Sequence, residues 1–493
     1  MILKKVAVLI ASLLFLTSCA TTEPEPLSSL TKYQTQELKW RDCYGNYQCS
    51  NLLVPIDYQD LSVGAFSLAL LRYQALDQDR RIGSLVVNPG GPGASGIDYA
   101  YNAELIVGPE ILERFDIVGF DPRGVGDSAS IKCLTDAETD ASFAADSKPD
   151  NDSEFALLIS DAKEYFAKCA TNTKHLTAYS TLNSARDLDI LRSALGDQKL
   201  NFLGKSYGTY LGTLYAELFP DKVGRFVLDG AVDPNSTNRE AMLGQASGFD
   251  LALDAFIANC LKRSSCALTG DLMKARMQVN ELLANTAITP LKSKSGREVT
   301  EGLVVVGIAS ALYDSESGWP VLRDAFMEAT LGSGDSFLTL ADQYAGRQEN
   351  GSYISNENDA LQVIDCLDQK EIGTVSSFKK DFVEFSAQAP IFGPYLAFGG
   401  LACRYLPNLE KVEHIEIRKI ETKPILIIGT TRDPATPYKW AQALAKIFSS
   451  SSLITLDGDG HTGHGRGSTC VDSAVDRYLL TGVTPKSELF CAK

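Results

Sequence analysis

Five apolar runs in this chain stop abruptly at loops rich in glycine, proline or aspartate: SLVVNPGG, FDIVGFDPRG, LNFLGKSYG, KPILIIGTTRDPATP and SSLITLDGDGHTGHG. Runs that are apolar throughout, rather than alternating, belong to strands covered on both faces, as in a parallel sheet flanked by helices. The intervening segments supply those helices. NSARDLDILRSALG repeats Ala185, Leu188, Leu191 and Leu195 at helical spacing, and YGTYLGTLYAELFP predicts a helix directly after LNFLG. GRFVLDGAV reads as a further strand, and SNLLVPIDYQD with AFSLALLRYQAL as a hairpin-like pair ahead of them. Strand, turn and helix in alternation predict an α/β fold built on a central, mostly parallel sheet.

The texture changes once. Residues 39–235 carry the first part of this core, and residues 401–493 resume it. Between them, residues 236–400 contain REAMLGQASGFDLALDAFIANCLKR, DLMKARMQVNELLAN and PVLRDAFMEATLG, all amphipathic at helical spacing. That block predicts an inserted, mainly helical cap. Its run GLVVVGIASALY fits a buried helix or a strand equally well. The chain of 493 residues is long enough for two or three such units.

The first residues carry an address. Lys4 and Lys5 precede the apolar stretch Val6–Leu16, too short for a permanent membrane span, and LTSC follows at residues 16–19. This ending resembles a bacterial lipobox. Residues 1–18 are then a lipoprotein signal peptide, Cys19 the lipidated terminus, and residues 19–38 a polar, proline-bearing tether. The expectation is an exported protein held by lipid at a bacterial membrane, facing the periplasm or the cell surface. The net charge of −16 argues against nucleic acid as a partner. With Cys19 set aside, ten cysteines remain: Cys43, Cys49, Cys133, Cys169, Cys260, Cys266, Cys366, Cys403, Cys470 and Cys491. An even number in an exported chain favours disulfides over metal, with neighbour pairing the simplest arrangement and connectivity left open. With no close Cys-x-x-Cys and only four histidines, no metal site is expected.

Chemistry concentrates at Ser206. A strand-to-helix turn sharp enough to expose one side chain crowds the positions two before and two after it, and here both are glycine, Gly204 and Gly208. A serine hydroxyl needs a base to become a nucleophile. Of His175, His414, His461 and His464, the favoured base is His461, which comes first after the Gly-rich turn that ends a strand; His464 is its rival. Asp433, just past PILIIG, is the carboxylate expected to orient that imidazole, whereas Asp457 and Asp459 shape the local turn. A helix cap before PYKWAQALAKIF is the plain structural alternative for Asp433. The glycines of VVNPGGPGASG allow close backbone approach to a substrate, so the N–H of Gly91 with that of Tyr207 forms the expected oxyanion site. A phosphate loop is not indicated, since neither a Walker lysine nor GxGxxG is present there. Asp121 and Arg123 of FDPRGVGDS are expected to order a neighbouring loop.

These motifs together, with W-x-x-C and VPIDY near the start, NPGGPGASG, FDPRGVGDS, GKSYGTYLG, TRDPATPYKWA and GDGHTGHG, resemble the exported tripeptidyl aminopeptidases. Those belong to the proline-iminopeptidase-like serine peptidases of the α/β-hydrolase fold. The resemblance runs from about Trp40 to Cys491, with a characteristic C-terminal segment from near Leu401. It implies Ser206 as nucleophile, Asp433 as acid, His461 as base, a helical cap, Cys366–Cys403 and Cys470–Cys491 bridges, and no cofactor. One departure is Asn88-Pro89 where proline iminopeptidases read His-Gly, which leaves the oxyanion donor open.

The implied activity is release of short peptides, tripeptides in particular, or amino acids from peptide N-termini through an acyl-enzyme. A peptide N-terminus carries an ammonium group, for which Asp368 in DCLDQ is the candidate partner. Two alternatives stand beside it: a lipid-anchored carboxylesterase with the same triad, and an inactive binding module on the same fold. The oligomeric state is not legible in the sequence.

Overall fold

The computed structural model describes residues 23–486 and 488–492. The signal peptide, Cys19 and the first residues of the tether lie outside them. Twelve strands are described: β1 (Arg41–Cys43), β2 (Tyr47–Pro55), β3 (Ala65–Tyr73), β4 (Gly83–Asn88), β5 (Phe115–Phe120), β6 (Leu200–Lys205), β7 (Val223–Asp229), β8 (Leu291–Lys292), β9 (Glu298–Val299), β10 (Ile425–Arg432), β11 (Ser451–Asp459) and β12 (Leu489–Ala492). Ten of them form one sheet in the order β1-β2-β3-β5-β4-β6-β7-β10-β11-β12. From β5 to β12 every pairing is parallel, while β1, β2 and β3 join antiparallel at one edge.

The side-chain alternation of the parallel strands explains their apolar runs. Val86, Phe202, Ile425 and Ile427 point to one face, packed under the helices Thr181–Ala194 and Tyr207–Leu218. Leu85, Val87, Leu203, Leu426 and Ile428 point to the other, under the helix Thr469–Thr481 and the short helices between Gly96 and Arg114. Neither face meets water, so no polar residue is needed at alternate positions.

The cap has its own apolar core. Phe256, Trp319, Phe326 and Phe337 interlock at ring distances of 5.4 to 6.0 Å. GLVVVGIASALY proves to be the central cap helix, Glu301–Leu312, buried on most of its circumference. Gly307 lets a second helix close on it, for a β-carbon there would lie 2.7 Å from the carbonyl of Phe337. The strands β8 and β9 form a small hairpin within the cap.

Chain order and packing diverge in two places. Phe143 and Ala144, ahead of the cap in sequence, pack against the cap core. The helix Glu357–Asp368, inside the 236–400 block, instead buries Ala360, Val363, Ile364 and Leu367 in the core beneath the sheet. Five disulfides join sequence neighbours: Cys43–Cys49, Cys133–Cys169, Cys260–Cys266, Cys366–Cys403 and Cys470–Cys491. Among the described residues no helix is long and apolar enough to cross a membrane, and no cluster of side chains could hold a metal ion.

Candidate active site

Five parallel strands, β4, β6, β7, β10 and β11, deliver Asn88, Ser206, Asp229, Asp433 and His461 to their carboxyl ends, the edge where ligands bind in open α/β sheets. Ser206 sits between β6 and the helix Tyr207–Leu218 at φ 54° and ψ −125°. That conformation is costly for a residue with a side chain and persists only where its surroundings hold it. They do so here. The Ser206 N–H donates to the carbonyl of Asp229 at 2.8 Å, and its carbonyl accepts from Thr209 N–H at 2.8 Å. A β-carbon on Gly204 would lie 2.5 Å from the carbonyl of Gly208, and one on Gly208 would lie 2.6 Å from Asn88 Oδ1. Both glycines are therefore steric requirements of the turn.

Asp433 and His461 are brought together from separate strands. His461 Nδ1 lies 2.8 Å from Asp433 Oδ1 and 3.0 Å from Oδ2. Asp433 also accepts from the amides of Ala435, Thr436 and Thr462 at 2.8 to 3.0 Å, so its charge is fully solvated by protein donors. It does not cap the following helix, which begins at Tyr438 after Pro437. The His461 ring adjoins the turn after β7, with Cε1 lying 3.3 Å from where a β-carbon on Gly230 would be. Tyr313 from the cap meets the ring edge-on at 5.2 Å. Ser206 Oγ makes no hydrogen bond among the described residues.

The remaining histidines are placed elsewhere. His464 is buried, and burial with the nearby Lys205 ammonium pushes its pKa down to about 3. His175 leans on Glu23 and Phe66, and burial together with Lys370 pushes His414 below its ordinary value. Asp457 and Asp459 pair with Arg432 at 2.8 and 2.5 Å. Asp121 accepts from Ser95 Oγ and from the amides of Ile97 and Asp127. Arg123, wholly buried, binds Asp187 and the carbonyls of Pro55, Ile56 and Ala178.

The glycine-rich loop after β4 closes the site. A β-carbon on Gly90 would fall 2.9 Å from Ser206 Cβ and 3.4 Å from the amide nitrogen of Tyr207. Gly90 N–H is occupied by Asn88 Oδ1 at 3.1 Å, whereas the amides of Gly91 and Tyr207 have no acceptor among the described residues. Asn88 thus orders this loop through Gly90 N–H and lies against Gly208. Gly93 in turn packs on the helix Glu357–Asp368, its position 2.7 Å from the Glu357 carbonyl when a β-carbon is built.

That helix turns an acidic face toward the site. Glu357, Asp365 and Asp368 share one side of it by helical spacing. Asp368 accepts from the N–H of Thr181 at 2.9 Å and from its hydroxyl, which also bonds the Tyr207 hydroxyl. The carboxylates of Asp365 and Glu357 have no hydrogen-bond or ion-pair partner among the described residues. Burial raises all three carboxyls, and the Asp368 charge adds to the effect on Asp365; both aspartates reach about 7. The sequence points only to Asp368, beside Cys366 in DCLDQ. Asp365, Glu357, Lys205 and Asp229 were missed, since only the folded sheet brings them to the elbow.

A sequence-family model for the alpha/beta hydrolase fold matches residues 83–467. The chain belongs to the α/β-hydrolase fold family and is a serine hydrolase. Among curated proteins it is similar to serine protease Hip1 of Mycobacterium tuberculosis, 36% identical over 92% of this chain and 91% of that protein. It is also similar to carboxylesterase B of the same organism, 36% identical over 90% of this chain and 86% of that protein. The tripeptidyl aminopeptidase of Streptomyces lividans is 30% identical over 92% and 86%.

Proposed function

We propose that this chain is a serine exopeptidase that releases short peptides, tripeptides in particular, from free peptide N-termini. The observation that carries this reading is the acidic helix. The helix carrying both Glu357 and Asp365 packs at Glu357 against Gly93 of the oxyanion loop, and among the described residues neither carboxylate has a cation paired with it, which suits a ligand bringing its own positive charge. The free ammonium of a peptide N-terminus is such a group. Asp368, already bonded to Thr181, would orient Tyr207 and add to the field, while Asp365 would meet the ammonium. The relatives named as a serine protease and a tripeptidyl aminopeptidase agree with a peptide substrate.

The chemistry is acyl transfer. Ser206 Oγ attacks the scissile carbonyl carbon while His461 Nε2 takes its proton. Asp433 holds Nδ1–H, so Nε2 is the free lone pair, and its charge stabilises the imidazolium. The amides of Gly91 and Tyr207 receive the oxyanion. As the tetrahedral adduct collapses, His461 returns the proton to the leaving amine, and the N-terminal fragment remains as an ester on Ser206. Water, deprotonated by His461, attacks that ester and frees the fragment.

Three substrates discriminate the possibilities: a tripeptidyl amide with a free amine, its N-acetylated twin, and a short-chain ester. Strong preference for the free amine supports the exopeptidase. Turnover of the ester alone supports a carboxylesterase, the activity named for one relative, and no turnover of any favours a binding module. Ser206→Ala should abolish turnover without unfolding the protein; retained activity overturns the assignment.

A further inference from the structure

The residue directly before the nucleophile is a lysine. Lys205 ends β6, and its side chain is only 15% exposed, so its charge is largely removed from water. Burying an ammonium is costly unless specific partners replace the solvent. Lys205 Nζ donates to the carbonyl of His464 at 2.7 Å and lies 3.9 Å from Asp229 Oδ2. Both partners belong to the machinery around the base.

The loop after β11 shows what is being held. Its four consecutive amides are held by three anchors. His461 N–H donates to the Tyr313 carbonyl at 2.9 Å, and Thr462 N–H to Asp433 Oδ2 at 3.0 Å. Gly463 and His464 N–H groups donate to the two oxygens of Asp229 at 2.8 and 2.9 Å. Asp229 is fully buried, and its own carbonyl accepts the Ser206 amide at 2.8 Å. One residue therefore grips the nucleophile turn through its backbone and the base loop through its side chain. Lys205 ties the same two elements a second time, as the neighbour of Ser206 and as donor to His464.

We propose that Lys205 is a positioning residue for acyl transfer: with Asp229 it forms a clamp that sets where His461 stands relative to Ser206. The proposal rests on the assignment of those two residues above. A buried ion pair adds little net stability over an apolar replacement, and its best-supported use is to specify one arrangement among several. Here the arrangement specified is the register of the base loop on the elbow. Misplacement of a reacting group by about 1 Å costs roughly 10²-fold in rate, so a clamp of this kind acts on kcat and leaves substrate binding alone.

The test uses Lys205→Met and Lys205→Arg in the full chain, assayed on an activated short-chain ester that needs the triad but no N-terminal recognition. Functional sites are counted with a fluorophosphonate so that rates refer to folded enzyme. The expected result is a kcat lowered about 10- to 100-fold in Lys205→Met with KM within about twofold, and substantial recovery in Lys205→Arg, which keeps the donor and the charge. Wild-type kcat per titrated site in Lys205→Met overturns the proposal. So does an equal loss in both variants that follows their melting temperatures, which is the signature of a purely structural ion pair. If Lys205→Met does not fold, Lys205→Gln is judged by the same two criteria. Ester turnover surviving in Ser206→Ala would instead indict the triad assignment, separating that failure from this one.

Discussion

The carbonyl of Tyr313, a cap residue, accepts the amide of His461 at 2.9 Å. The cap is thereby joined to the catalytic loop at the base itself. Arg466 reinforces the joint, donating to the carbonyls of His461 and Tyr313 at 3.0 and 2.8 Å and pairing with Asp314 at 3.1 Å. Arg466→Ala should therefore lower kcat/KM by about tenfold, a loss of positioning rather than of chemistry. Steady-state kinetics on titrated enzyme check this; an unchanged kcat/KM would mean that the cap is dispensable for holding the base.

Asp433→Asn keeps the shape of the acid but reverses the demand on His461 Nδ1. The amide can offer a proton where the carboxylate accepts one, which favours the wrong tautomer. The expected loss in kcat is about 10³- to 10⁴-fold with the fold intact. Circular dichroism together with kcat measures both halves of that statement.

The acidic helix makes stability and binding respond to pH in opposite directions. Asp365 and Asp368 are raised to about 7, by burial first and, for Asp365, by the Asp368 charge second. In the unfolded chain both titrate near the ordinary aspartate value of about 3.9. Between roughly pH 4 and pH 7 the folded state thus binds more protons, so stability falls as pH rises through that window. Asp365→Asn removes one of the two groups. The variant should melt above wild type at pH 8 and coincide with it near pH 4. The same variant should raise KM for the free-amine tripeptidyl amide and leave the short-chain ester untouched. Melting curves at the two pH values and the two KM values provide the check; a KM that rises equally for both substrates would remove Asp365 from ammonium recognition.

From the LTSC sequence we propose that Cys19 is a site of lipid attachment. Cys19→Ala should leave the triad's activity unchanged while moving the protein from the membrane fraction to the soluble one, with loss of incorporated labelled palmitate. Fractionation of cells expressing both forms measures this directly.

Much of the site was legible because its parts are local. The elbow at Ser206 is marked by Gly204 and Gly208, two residues either side, although the clash that Gly208 avoids is with Asn88 of β4. Asp433 and His461 each follow a strongly apolar strand, so their place at the sheet's carboxyl edge follows from the strands themselves. The run GLVVVGIASALY was not legible, because a helix buried all round loses the periodicity that would mark it as one.

Sequence by itself thus determined the α/β class and the glycine-flanked elbow, and pointed to Asp433 and His461 as a pair and to neighbour pairing as the simplest disulfide arrangement. Tertiary structure alone decided which carboxylates lack a partner. Asp368 and Asp365 lie three residues apart on one helix, yet Thr181, reaching in from another helix, engages the first and leaves the second open. It also set the contacts of Lys205, whose partners are Asp229 at the end of β7 and His464 in the loop after β11. Spacing along the chain reports contacts made within a turn or a helix. Charges meeting across a sheet are set by strand order, and strand order is a property of the whole fold.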